Sequence, residues 1–430
     1  MDLSGRPAPA SRTLVPLYLA HGVLHVLIGI YPAVLLILRR TFEADYATLG
    51  AVFTAATFLY GAGSIPTGFI VNRIHPLTIV RGYLGLAAVA AVAVALAPDQ
   101  TVFAAGLLLL GLAGSPYHAA AMTLISRASG NSPRLLAHHG MAGSLGLAVA
   151  PAFAALLAAA VSWRLPFAVA GGLSVVVLLS TLAVPRLPNP SRGVPEPRTH
   201  VSHGTTHLGA LALVYLVTIA LGFIFRGAVT FLPALAAERA DVFPGAAVIR
   251  GGLLASLVYL VGFFGQWWAA RLGHRSGLER TYTVLLLVQS VLLAVIAATT
   301  DWALVVVLLA FSVVHFTTQP LDNVLTGKYT SLSRRGVGYG FSFGLSFGFG
   351  AFAAWTGGLV ADAAGGRLQY VYLMLAGVGL LGTAAGAALW MVARRLGARA
   401  LPAHDGAPEG AGGGAAVGTG DRPFPDAEDI

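Results

Sequence analysis

The chain has 430 residues, of which 57% are hydrophobic and only 10% charged, and its mean hydropathy is +0.78. Soluble domains carry roughly 25% charged residues, so lipid must be the solvent for most of this apolar surface. There is no cysteine, which excludes a disulfide framework and a thiolate metal site. The single lysine, Lys328, precedes Tyr329 rather than Ser or Thr, so no Walker-type ATP motor is present.

A helix crosses a bilayer with ~20 mainly apolar residues. Twelve runs meet this length: 14–38, 46–70, 77–97, 101–126, 137–161, 165–184, 209–235, 249–270, 281–299, 302–326, 338–361 and 370–393. The first is longer than a signal-peptide core and is expected to be a retained helix. Between the sixth and seventh, residues 185–208 are rich in Pro, Arg, Ser and His and read as a polar linker. Residues 1–13 read as a short N-terminal segment. The tail 394–430 turns to Gly, Ala, Pro and Asp from 396 on and reads as disordered. The expected fold is therefore all-α, two bundles of six spans at 14–184 and 209–393.

The net charge of +9 arises in short loops between apolar runs, a pattern that suits lipid headgroups rather than nucleic acid. Nineteen of the 26 Lys and Arg residues fall on the side of both termini, six on the other, and Arg226 within a span. The positive-inside bias puts both termini in the cytoplasm. The halves echo each other at an offset near 197, with Arg73 matching Arg271 and His118 matching His315. Parallel six-helix repeats build many transporters, with the substrate held between them near the midplane.

Ionisable groups in a membrane helix cost ~2.5–3.5 kcal/mol at its centre on insertion scales, and those retained usually face a cavity. The deep ones are His21 and His25 on span 1, His118 on span 4, Arg226 on span 7, and His315 and Asp322 on span 10. Tyr18, His21 and His25 share one helical face. They either bind substrate or relay protons, since His titrates near neutral pH, or they hydrogen-bond a neighbouring helix. His118 and His315 carry the same alternatives, with Gln319 one turn beyond His315. Arg226 stands ~14 Å below the outer surface by helical rise. It reads as an anchor for a carboxylate or phosphate, against a structural pair or gate. Asp322 lies ~16 Å from the depth of Arg226, too far for a direct ion pair. It reads as a proton-coupling acid, or as an inner-gate residue paired with a loop arginine. Gly336, Gly340, Gly344 and Gly348 form a G-x-x-x-G series expected to pack helices closely, and Asp362 is expected to cap span 11.

After span 2 the chain reads Gly68-Phe-Ile-Val-Asn72-Arg73, and after span 8 Gln266-Trp-Trp-Ala-Ala270-Arg271-Leu-Gly273-His-Arg275. Both resemble the G-x-x-x-D-R-x-G-R-R signature of the major facilitator superfamily, with Asn72 and Ala270 at the acidic position and Gln266 at the first glycine. Gly143, Gly146, Ala150 and Pro151 on span 5 resemble that family's antiporter motif. SPYHAAAMTLISRAS and GSLGLAVAPAFAALL resemble its fosmidomycin-resistance-like efflux branch, with Ala119 following Tyr117-His118 where that branch has Pro. The resemblance, over 14–393, implies two pseudo-symmetric bundles, spans 1, 4, 7 and 10 around a cavity, and Asn72, Arg73 and Arg271 near an inner gate. It implies alternating-access transport of a small organic molecule, expected here as proton-linked efflux, with uptake of a small organic anion or a non-transporting sensor as alternatives. A monomer in a bacterial inner membrane is expected, with no catalytic residue, metal or cofactor beyond the coupled proton.

Overall fold

A computed structural model describes residues 14–71, 73–129, 133–184, 206–242, 245–272, 277–331 and 335–400. Asn72 lies outside them, as do the expected N-terminal segment, nearly all of the linker and the tail beyond 400. The described residues form fourteen α-helices and no strand. The first half contains α1 Val15–Phe42, α2 Tyr46–Ala62, α3 Ser64–Ile70, α4 Pro76–Ala95, α5 Gln100–Gly114, α6 Tyr117–Ser129, α7 Pro133–Ala160 and α8 Arg164–Ser180. The second contains α9 Leu208–Arg239, α10 Ala247–Leu272, α11 Leu278–Ala298, α12 Asp301–Tyr329, α13 Arg335–Ala363 and α14 Gln369–Ala400. They supply twelve stretches long and apolar enough to cross a membrane, α2 with α3 and α5 with α6 each counting as one.

Those two interruptions depart from the continuous helices expected at 46–70 and 101–126. Proline explains both. Pro66 cannot donate to the Ala62 carbonyl, and Pro116 cannot donate to that of Leu112, so the chain restarts at each. Several helices also outrun their apolar runs. α1 continues to Phe42 with Arg39 and Arg40 in its last turn, where cations suit the helix dipole. α9 continues to Arg239, and α14 continues to Ala400 although the apolar pattern fades near 393. Long basic side chains reach water from such ends, so helix persists where hydropathy falls.

The end of the molecule that carries the 185–207 connection is called the linker end, and the opposite one the far end. α2 packs along α13 and α7 along α10, which joins the first six spans to the last six. These contacts are tightest toward the far end. A Cβ on Gly50 would strike the Ala354 carbonyl, one on Gly358 the Tyr46 backbone, and one on Gly252 the Pro151 carbonyl. The Thr54 hydroxyl donates to the Ala351 carbonyl at 2.8 Å and accepts from the Trp355 amide at 3.1 Å. The Ser256 hydroxyl accepts from the Ala152 amide at 2.9 Å.

The first amides of α2 complete the seal. Asp362 accepts from the Tyr46 amide at 3.1 Å and the Ala47 amide at 2.7 Å, while Asp45 accepts from Thr48. Asp362 therefore caps α2 from across the molecule, rather than its own helix. A carboxylate suits this position because helix N-termini present unpaired amides and positive dipole. A depression of about 520 Å³, lined by Arg39, Arg40, Glu43, Asp45 and Glu238 among others, lies at this end. Toward the linker end the approach is less close, with a Cβ on Gly61 meeting the Phe347 Cβ at 3.0 Å. A Cβ on Gly340, Gly344 or Gly348 would meet nothing within 4 Å. Three of the four glycines expected to form a packing strip thus face open space, and the closely packed ones on α13 are Gly338, Gly350, Gly357 and Gly358.

This contrast makes a stability prediction. Gly358→Val is expected to destabilise the protein by about 1–3 kcal/mol through overpacking. Gly344→Ala is expected to be neutral or slightly stabilising, because Ala is the better helix former. Thermal unfolding in detergent checks both.

Candidate functional site

Four imidazoles gather where α1, α6 and α7 meet. The break at Ser115–Pro116 places Tyr117 and His118 in the first turn of α6, and helical spacing stacks His25 one turn beyond His21 on α1. His21 is 6% exposed and its Nδ1 lies 2.7 Å from the His139 carbonyl. A carbonyl only accepts, so Nδ1 carries the proton and the His21 Nε2 presents its lone pair. His25 Nε2 lies 3.2 Å from it. The His139 ring stacks on His21 with centroids 4.0 Å apart. Tyr117 donates to the Leu17 carbonyl at 2.6 Å, which leaves its oxygen to accept from His139 Nε2 at 3.1 Å. His118 meets the His21 ring edge-on at 5.0 Å, and its Nε2 is buried without a hydrogen bond. Tyr18 is half-buried beside His138 and His139, its hydroxyl also without a partner.

Arg226 faces this cluster from the second half. α9 extends thirteen residues beyond it, so Arg226 sits ~20 Å from the far end, deeper than the shorter run 209–235 implied. It is 4% exposed. Its guanidinium lies 5.6 Å from the Phe347 ring and 6.0 Å from Phe225. Among the described residues no hydrogen bond or ion pair engages that guanidinium. Tyr60 and Phe347 pack edge-on at 5.7 Å across α2 and α13, and His118 meets Phe343 of α13 at 5.8 Å. His21, His25, His118 and Arg226 thus belong to one seam between the halves.

His315 does not join them. Its Nδ1 donates to Gln289 Oε1 at 3.1 Å and its Nε2 accepts from Gln319 at 3.0 Å. Phe225 and Phe311 stack on its two sides at 5.6 and 5.5 Å. The adjoining cavity holds about 10 Å³, room for one water and no organic molecule. His315 is a satisfied interior group of the second half, reached by Gln319 on its own helix.

Asp322 also points inward. It is 5% exposed, and accepts from Tyr282 on α11 at 2.6 Å and from Thr218 on α9 at 2.8 Å. The loop arginine expected for an inner gate is absent from its described partners. Arg73 is exposed, and Arg271 is exposed with its guanidinium 3.4 Å from the Trp267 ring. Neither reaches Asp322 or the other. Among the described residues, Lys328 forms an ion pair at the linker end with Glu279, which Tyr329 also donates to.

Sequence reasoning missed His139, Tyr60 and Glu279. It confined deep ionisable groups to spans 1, 4, 7 and 10, yet His139 comes from the fifth. The expected run begins at 137, only two residues before His139, whereas α7 begins at Pro133. The His138-His139 doublet was the available signal. Glu238 was likewise missed as a carboxylate on span 7; it accepts from the Tyr46 hydroxyl at 3.2 Å, and Arg39 lies 3.8 Å over that tyrosine ring.

A twelve-span helical protein with a polar seam between two halves has the build of a membrane transporter. Residues 17–354 match the Major Facilitator Superfamily, and the chain belongs to that family. It is a multi-pass membrane transporter of small molecules rather than an enzyme. No curated protein matches it. Among solved structures it is similar to the nucleoside transporter NupG, at 17% identity and TM-score 0.72, covering 88% of this chain and 99% of that one. It is also similar to a bacterial homolog of the human lysosomal transporter Spinster in an inward-facing, occupied conformation, at 16% identity and TM-score 0.72, covering 93% and 100%. At such identities the likeness concerns the fold.

Proposed function

We propose that this protein exports a small organic anion by alternating access, driven by protons, with both termini in the cytoplasm. The observation that carries the reading is Arg226: a buried guanidinium on the seam that no carboxylate or hydrogen bond of the described residues engages. A buried charge without a partner is costly, and a cargo carboxylate or phosphate would supply the missing forked acceptor. The close packing between the halves at the far end suits a state loaded from the cytoplasmic side, given the positive-inside bias. Export is favoured by the resemblance of span 5 to the antiporter motif. Uptake of the same anion is the second reading, favoured by Arg226 alone.

Asp322 is the group we assign to proton coupling. Two neutral hydroxyls hold it and no described cation balances it, so its charge can change as the linker end opens and closes. Because α9 carries Thr218 two turns from Arg226, a change at Asp322 can be felt along one rigid helix. In proteoliposomes, Asp322→Asn is expected to cut accumulation driven by a pH gradient about 100-fold or more, the lower end of the range general for a lost proton-transfer group, while substrate exchange without a gradient persists. Gradient-driven accumulation at the wild-type level would remove Asp322 from coupling, and the sign of the gradient that drives accumulation separates export from uptake.

A further inference from the structure

The imidazole cluster in the first half has a geometry that anion binding does not use. We propose that His21, His25 and His118 form a binding site for one divalent transition-metal ion, with an open fourth position facing the seam.

His21 and His25 are one helical turn apart, the spacing that lets two imidazoles on one face share an ion. Zn²⁺ binds imidazole nitrogen at about 2.0–2.1 Å, and tetrahedral angles then separate two such nitrogens by about 3.3 Å. The two Nε2 atoms already stand 3.2 Å apart. A ring nitrogen of His118 completes the set, all three lying within 4.8 Å of one another. His118 Nε2 has no hydrogen bond to give up, so rotating this ring inward costs only its edge-on packing. A buried ring nitrogen with no partner is uncommon and calls for one. His21 has the support that metal-bound histidines have: its other nitrogen donates to the His139 carbonyl at 2.7 Å, which fixes the tautomer and aims the free lone pair. Its ring is clamped by the stacked His139.

The donor set defines the ion. Three neutral imidazoles without thiolate or carboxylate suit Zn²⁺, Co²⁺, Ni²⁺ or Cu²⁺, whereas Ca²⁺ and Mg²⁺ require oxygen. Three protein ligands leave a tetrahedral ion one open position. Arg226 lies 5.6 Å from Phe347, whose ring packs on Tyr60 beside His118, and its charge opposes a bare dication. An anionic group placed between ion and guanidinium would satisfy both. The inference rests on the transport reading only for this last consequence, that the exported anion is metal-bound or metal-binding.

The test is equilibrium binding to purified, tag-free full-length protein in detergent, with Co²⁺ as the spectroscopic probe and Zn²⁺ as competitor. One equivalent of Co²⁺ with the intense visible absorption of a tetrahedral site is expected, displaced by Zn²⁺. His25→Gln and His118→Gln are expected each to weaken binding at least 10-fold, whereas His138→Gln and His315→Gln leave it unchanged. Arg226→Gln is expected to tighten binding of the bare ion several-fold, which a purely structural arginine would not do. Variant folding is checked by thermal unfolding without metal, and a misfolded glutamine variant is replaced by Asn. No saturable binding, or binding that survives both His25 and His118 substitutions, overturns the site. Anion flux is measured separately, so loss of either result leaves the other standing.

Discussion

Replacing Arg226 by glutamine is expected to raise the half-saturating concentration of an anionic cargo by about 10–100-fold without lowering stability. A hydrogen bond to a charged group contributes ~1.5–3 kcal/mol, and each ~1.4 kcal/mol is a factor of ten. The stability half of the prediction follows from the absence of an engaged partner. Breaking a buried ion pair by removing one member costs ~3–5 kcal/mol because the other is stranded. Arg226 is 4% exposed, and no described carboxylate pairs with it, so its removal strands nothing and relieves a desolvated charge. Flux titrations and thermal unfolding, run on the same preparation, read the two halves. Unchanged half-saturation together with a lowered unfolding temperature would make Arg226 a structural residue and end the anion reading.

Asp362→Ala is expected to open the far end. Its carboxylate holds two amides of α2 from the last turn of α13, at 3.1 and 2.7 Å, and so joins the two halves at their tightest point. Charge-assisted bonds of this kind contribute ~1.5–3 kcal/mol, and the α2 dipole adds up to ~1 kcal/mol at an exposed helix end. That is enough to move the balance between far-closed and far-open states by about 10–100-fold. The chain has no cysteine, so a spin-label pair on Thr41→Cys and Arg367→Cys reports cleanly on the distance across this end. A second, longer distance is expected in the variant. A distribution identical to that of the unsubstituted chain would show that the packing at Gly50, Thr54 and Gly358 holds the seal alone. Glu238→Gln should act more weakly, since its bond to the Tyr46 hydroxyl is longer at 3.2 Å and single.

Much of the fold was legible because its main determinant is local. An apolar run of about 20 residues carries its own requirement for helix in lipid, where every backbone group must bond within the segment. The interruptions were harder to read, since Pro66 and Pro116 break their helices whereas Pro32, Pro151, Pro233 and Pro320 lie inside theirs. Whether freed carbonyls find other partners depends on neighbours the sequence does not name. The G-x-x-x-G series misled for the same reason. Spacing guarantees a smooth stripe but not that another helix lies against it, and at 340, 344 and 348 nothing in the protein does.

The candidate site divides along the same line. The amino-acid sequence by itself determined that His21, His25, His118, Arg226, His315 and Asp322 must be held in membrane-spanning helices, because hydropathy is a property of each segment alone. The tertiary structure decided which of them meet. His21 rests on His139 at a separation of 118 residues and Tyr46 on Asp362 at 316. His315 turns to Gln289, and Asp322 turns to Tyr282, both inside the second half. A side chain's depth follows from its place along a helix, but its direction is set by how that helix is rotated against its neighbours, and only packing fixes that rotation.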